Sequence, residues 1–147
     1  MNNSLIFPED QNEFFKEHLI GKTIKDIKVG DENICFLLTD GSAMRFFHSQ
    51  SCCESVSVDD ICGDIDDLKD SPILGAELSS NSNTYGPKDK YDSSYTWSFY
   101  NFRTQKGYVT IRWYGSSNGY YSETVDIEYH SGNLSNDDWD TELLYTY

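Results

Sequence analysis

Hydrophobic and polar positions change their spacing along the chain, and each change marks a change of expected structure. Between Pro8 and Ile20, Phe14, Phe15 and Leu19 share one side of a helical wheel, with Lys16 and Glu17 on the other. Pro8 suits a first helical position, Glu9 and Asp10 favour the positive end of the dipole, and Gly21 is a natural stop. The pattern predicts a docking helix over 8–20. The period then shortens to two. Thr23 to Val29, Asn33 to Thr39 (NICFLLT) and Ala43 to His48 read as three strands, the last two joined at Asp40-Gly41, a tight-turn dipeptide.

From Ser49 to Asp70 (SQSCCESVSVDDICGDIDDLKD) the alternation breaks. Asp59-Asp60 is placed to open a short helical stretch, with Ile61, Ile65 and Leu68 facing inward, Gly63 as a break and Pro72 as its end. Ile73 to Leu78 reads as a short strand. Residues 79–94 (SSNSNTYGPKDKYDSS) are rich in Ser, Asn, Asp and Gly and are expected to form a mobile loop. Alternation returns most clearly in Tyr95 to Thr104, Gly107 to Tyr114 and Tyr120 to Tyr129. With Asn118-Gly119 as a type I′ turn pair, these three predict an antiparallel meander. The expected fold is α+β: one antiparallel β-sheet of five to seven strands with the N-terminal helix packed on one face. A single domain over 1–147 is expected, ending in an acidic tail over 131–147.

Composition adds two constraints. The 11 Tyr, 8 Phe and 3 Trp supply a core that 37% hydrophobic residues would otherwise leave thin. A formal charge of −14, from 25 acids against 11 Lys plus Arg, opposes direct binding to nucleic acid or to an anionic membrane, and favours a basic protein surface as partner. The N-terminus shows no basic and then apolar leader, so a cytoplasmic location is expected, with Cys35, Cys52, Cys53 and Cys62 as thiols.

Three constellations are candidates for chemistry. His48, Cys52 and Cys62 are the residues that a zinc ion would use, with Cys53 and Glu54 beside them, although no C-x-x-C pair is present. A thiol of Cys52 or Cys53 with His48 or His130 is the corresponding nucleophile and base, but neighbouring acids oppose thiolate formation. Asp59, Asp60, Asp64, Asp66 and Asp67 form an acidic run without the calcium-loop spacing, and read as a solvated binding face. Tyr114, Asn118, Tyr120 and Tyr121 belong to an aromatic-rimmed hairpin tip over 114–121 and read as a recognition loop with aromatic anchors. No phosphate-binding glycine motif occurs, and no cofactor is expected.

The stretch CCESVSVDDICGDIDDL followed by SPIL, and the stretch YTWSFYNFRTQKGYVTIRWYGSSNGYYSETVDIE, resemble a family of small uncharacterised domains from bacteria and their phages. With GKTIKDI, the resemblance runs from Gly21 to Glu128. That family brings no assigned activity and no functional residues; it implies a phage or mobile-element setting. Two classes of function follow. One is an acidic interaction protein that occupies a basic, nucleic-acid-binding surface of a host protein, as a phage inhibitor would. The other is a small-molecule- or metal-binding domain, or a hydrolase, centred on His48 to Asp67.

Overall fold

The alternating segments build two sheets rather than one. The computed structural model describes residues 5–81 and 86–131. The first sheet takes β1 (Leu5–Ile6), β9 (Asp126–His130), β4 (Ala43–Phe47), β3 (Ile34–Leu38) and β2 (Ile24–Val29), in that spatial order. The second takes β5 (Ser55–Cys62), β8 (Tyr108–Ser117), β7 (Ser94–Arg103) and β6 (Gly75–Asn81). All strand pairs within the sheets are antiparallel. No helix among the described residues is long and apolar enough to cross a membrane.

The helix α1 (Gln11–His18) starts later than Pro8, because Asp10 caps it by accepting the Glu13 amide at 3.1 Å. It does not lie on one face of one sheet. Phe15 is fully buried, with its ring 6.2 Å from Phe46 of the first sheet and 6.1 and 6.0 Å from Tyr100 and Phe102 of the second. The helix is thus a wedge between two inward faces. Phe36 and Phe46 complete the aromatic cluster by edge contacts at 5.2 to 6.0 Å among themselves and with Phe102. Asn12 fastens the wedge to the edge of β6, accepting from the Leu78 amide at 2.7 Å and donating to the Leu78 carbonyl at 3.2 Å.

Three sequence expectations are corrected. The single sheet fails because β8 already has β5 on one edge and β7 on the other, so nothing further can pair with it. The chain after Asn118 therefore crosses back, and its strand, reduced to Asp126–His130, joins β4 in the first sheet. Asn118-Gly119 is accordingly not a type I′ hairpin turn: of the two, only Gly119 has positive φ, at +90°. The helical stretch at Asp59-Asp60 is instead β5, where a bulge between Val58 and Asp60 disguises the alternation. Helical turns there are confined to the short 3-10 segment Ile65–Leu68, capped by Asp64. Other expectations hold. Ile34–Leu38 and Ala43–Phe47 pair across Asp40-Gly41, with Gly41 at φ +88°, and β7 pairs with β8 along its whole length. Of the expected loop over 79–94, residues 82–85 lie outside the described residues, as do residues 132–147 of the acidic tail.

Charged side chains on β4 and β9 are buried too. Arg45 and Glu128 form an ion pair at 3.5 Å on the outward side of the first sheet, with the guanidinium 3.9 Å from the Phe47 ring and His130 3.1 Å from Glu128.

The second return between sheets runs tight against β8. A Cβ on Gly115 would collide with the Glu123 carbonyl oxygen, a backbone atom held in place by its own neighbours. Gly115→Ala should destabilise the domain by about 1–3 kcal/mol in urea denaturation. Gly86→Ala, which meets nothing within 4 Å, should change stability by less than about 0.5 kcal/mol. Equal effects at the two sites would contradict the close approach.

Candidate functional site

The described chain crosses between the sheets twice, through residues 48–54 after β4 and residues 118–125 after β8. Both crossings lie at one end of the sandwich, and one imidazole joins them. His48 Nδ1 donates to the Thr124 carbonyl at 2.8 Å, and Nε2 donates to Glu54 Oε2 at 2.7 Å. Both partners can accept, so the ring is held by a hydrogen bond at each nitrogen. The pair is enclosed, with side-chain exposures of 3% for His48 and 0% for Glu54.

The local sequence is shaped around that carboxylate. Glu54 also accepts the backbone amides of Ser51 at 3.0 Å and Cys52 at 2.9 Å, and Gln50 Nε2 at 3.3 Å. The His48 bond first, and then these amides, outweigh the burial that opposes charge, and hold the Glu54 carboxyl down to about 2. Cys52 and Cys53 are joined to each other in a disulfide, which corrects the expectation of four thiols; Cys35 and Cys62 remain thiols. Two shallow hollows of about 290 and 350 Å³ flank this loop, both bordered by Glu32, His48 and Gln50.

The second crossing is anchored by a buried Glu123, which accepts from Thr96 Oγ1 at 2.8 Å and Ser117 Oγ at 2.5 Å. Beyond it, Asn118 Oδ1 accepts the Tyr120 amide at 3.0 Å, and the Tyr120 and Tyr121 rings meet edge-on at 5.2 Å. The neighbouring loop, 86–93, is tied to the same strand end by Ser93 Oγ donating to the Ser117 carbonyl at 3.3 Å. Tyr120 is 85% exposed and Tyr91 is 81% exposed. Tyr91 is a site residue that the sequence reading missed, because it sits in a low-complexity stretch.

The structure separates the binding residues expected from sequence. Tyr114 does not rim the tip. It is buried on the outward side of β8, donates to Asp92 at 2.5 Å, accepts the Lys88 amide at 3.1 Å, and packs at 4.6 Å on Trp97. Burial first, then the Asp92 bond, push its phenol up to about 12. Asp59, the residue displaced by the β5 bulge, meets Lys88 Nζ at 2.6 Å and Arg112 at 2.7 Å. Burial opposes its charge, yet the bonds from Lys88 and Arg112 hold it below the ordinary aspartate range. Asp60 lies 3.7 Å from Arg112. Asp64 caps the 3-10 segment, Asp66 pairs with Lys69 at 3.2 Å, and the Asp67 carbonyl accepts from Thr104 at 2.6 Å. These last three lie at the opposite end from Asn118, Tyr120 and Tyr121, with β8 spanning roughly 30 Å between them.

Nor do His48, Cys52 and Cys62 converge. Both His48 nitrogens are engaged, the Cys52 sulfur is bonded to Cys53, and β5 carries Cys62 roughly 20 Å away. Among the described residues no group of three or more His, Cys, Asp or Glu side chains is placed to hold a metal ion. The same engagements leave no thiol beside an imidazole base at residues 48–54.

The elements define an α+β domain, a two-sheet sandwich with a wedged helix, braced at one end by a buried histidine–glutamate pair. A family model, described as a domain of unknown function (DUF7448), matches residues 17–127, and the chain belongs to that family. The match accords with the resemblance to an uncharacterised domain over Gly21 to Glu128. No curated protein and no solved structure matches the chain.

The depressed Glu54 carboxyl fixes the sign of an acid dependence. A carboxyl lowered by folding stabilises the domain above its unfolded value, near 4.5, and that stabilisation is lost as pH falls towards about 2. Urea denaturation midpoints of the native chain should therefore drop across this window. Glu54→Gln should lower the midpoint at neutral pH and flatten the acid limb. An acid limb of the same depth in both proteins would show that Glu54 is not held by His48.

Proposed function

We propose that the domain is an acidic protein-interaction module that occupies a basic surface of another protein. The reading extends to its setting: a phage or mobile-element product acting in the host cytoplasm, inhibiting a partner whose basic surface otherwise binds nucleic acid. The observation that carries it is the pair of tyrosines, Tyr91 and Tyr120, held almost wholly exposed on two adjoining loops of one end. Exposed aromatic rings are costly to hydrate and gain most on burial in a partner, and Tyr rings lose little entropy when immobilised. The loops that present them are fixed by side-chain bonds to the backbone at Ser93, Asn118 and Asp89, so little ordering remains to be done on binding. The formal charge of −14 supplies the complementarity to a basic partner.

Division of labour between the two ends is expected. The acids at the Asp64 to Asp67 end steer the encounter, and the tyrosine end holds the complex. With a partner captured from the native host, affinity should fall as salt rises, because at about 0.1 M ionic strength charges more than about 10 Å apart are already screened. Changing Asp64, Asp66 and Asp67 together to Asn should slow association, while Tyr120→Ala should speed dissociation by about tenfold or more. Salt-insensitive binding, with both variants indistinguishable from the native chain, would contradict the proposal.

A further inference from the structure

Cys52 and Cys53 are neighbours in sequence, 3.8 Å apart at Cα, and their sulfurs are bonded to each other. A disulfide stabilises a fold largely by restricting the unfolded chain, and the gain grows with the length of chain it encloses. A bond between adjacent residues encloses no intervening chain and joins no two elements, so it adds almost nothing as a staple. Both residues are exposed on the crossing between β4 and β5, where a thiol from solution can reach them. Cys35, by contrast, is buried, and Cys62 stands at the far end of β5.

What the bond does constrain is the peptide between the two cysteines. Closing a ring through that peptide fixes ψ of Cys52 and φ of Cys53, and opening the ring frees both. The backbone of Cys52 belongs to the brace. Its amide donates to Glu54 Oε1 at 2.9 Å, and its carbonyl accepts from Gln50 Nε2 at 3.1 Å. The same carboxylate takes the Ser51 amide at 3.0 Å and meets His48 Nε2 at 2.7 Å. His48 Nδ1 in turn meets the Thr124 carbonyl at 2.8 Å. A continuous chain of bonds therefore runs from the two sulfurs, through Glu54 and His48, to the second crossing.

We propose that Cys52 and Cys53 form a reversible redox-modification site, opened and closed by exchange with low-molecular-weight thiols of the glutathione class, and that its state sets how firmly the brace is held. In the opening direction a thiolate attacks one cysteine sulfur and forms a mixed disulfide, while the other cysteine leaves as a thiolate and takes up a proton. A second thiolate attacks the small-molecule sulfur of that mixed disulfide, releasing the small disulfide and the remaining cysteine, which is protonated in turn. The protein gains two electrons and two protons, and two small thiols become one disulfide. The reverse sequence closes the ring. Acids beside Cys52 oppose ionisation of the protein's own thiols, but the incoming thiol carries its own charge, so they do not prevent opening. The exchange needs no protein partner.

Equilibrating the whole chain in oxidised or in excess reduced glutathione, with Cys52 and Cys53 then read by alkylation and peptide mass, tests the exchange. The ring should be closed in the first buffer and open in the second, and transfer between buffers should reverse it. Hydrogen exchange on the two forms reads the consequence. Opening should quicken exchange at the Ser51 and Cys52 amides about tenfold, the loss of one charge-assisted bond. Exchange across 121–125 should quicken severalfold, and the paired amides of β7 and β8 should keep their protection. Cys62→Ser, remote from the crossing, should respond as the native chain does. The double variant Cys52→Ser with Cys53→Ser cannot close the ring and should match the open form in both buffers. Cysteines that stay paired in both buffers, or that are free or singly capped by glutathione in both, would overturn the site. So would equal exchange rates at Ser51 and Cys52 in the two forms, or loss of protection throughout β7 and β8 on opening, which would mark a staple of the whole fold.

Discussion

The arrangement of both sheets depends on His48. A sandwich whose sheets are formed from interleaved segments needs its crossings held, because each crossing is irregular backbone with amides that no strand satisfies. His48 contributes one nitrogen to the crossing that contains it and the other to the carbonyl of Thr124, 76 residues away in sequence, in the second crossing. Glu54 completes the brace by taking up two backbone amides of the first crossing on the same carboxylate. A buried ion pair of this kind is worth little as a bare charge pair; its value lies in having nearly every lone pair and proton satisfied. Glu123 performs the parallel task in the second crossing with two hydroxyls in place of an imidazole.

That brace explains where the candidate functional features sit. The braced end carries the tyrosine loops and the Cys52–Cys53 disulfide. Fixed crossings let Tyr91 and Tyr120 stand in solvent without collapsing onto the sheet. The opposite end carries Asp64, Asp66 and Asp67, which work mainly as caps and partners for the local turn. The acidic run is thus partly a structural device.

What the sequence revealed follows the range of the interactions involved. The helix face of Phe14, Phe15 and Leu19, the Asp40-Gly41 hairpin and the pairing of β7 with β8 are set by neighbouring residues, and their patterns are plain. The third meander strand was misplaced because pairing depends on which edges are already taken, and the occupant of the far edge of β8 is β5, some 50 residues earlier. The bulge at Asp59 shifted the alternation by one residue, and Ile61, Ile65 and Leu68 were left at a helical spacing. His48 and Glu54 stood among the metal-site residues, but nothing nearby in sequence shows that Thr124 takes the second nitrogen. Gly115 is the one residue whose close approach to Glu123 left a trace, a glycine where a strand would otherwise favour a side chain.

Hydrogen exchange on His48→Ala tests the brace most directly. The account predicts faster exchange in both crossings at once, at the Ser51 and Cys52 amides and across 121–125, while the paired amides of β7 and β8 keep their protection. Acceleration confined to residues 50–54, with 121–125 unchanged, would contradict the claim that one side chain ties the two crossings together.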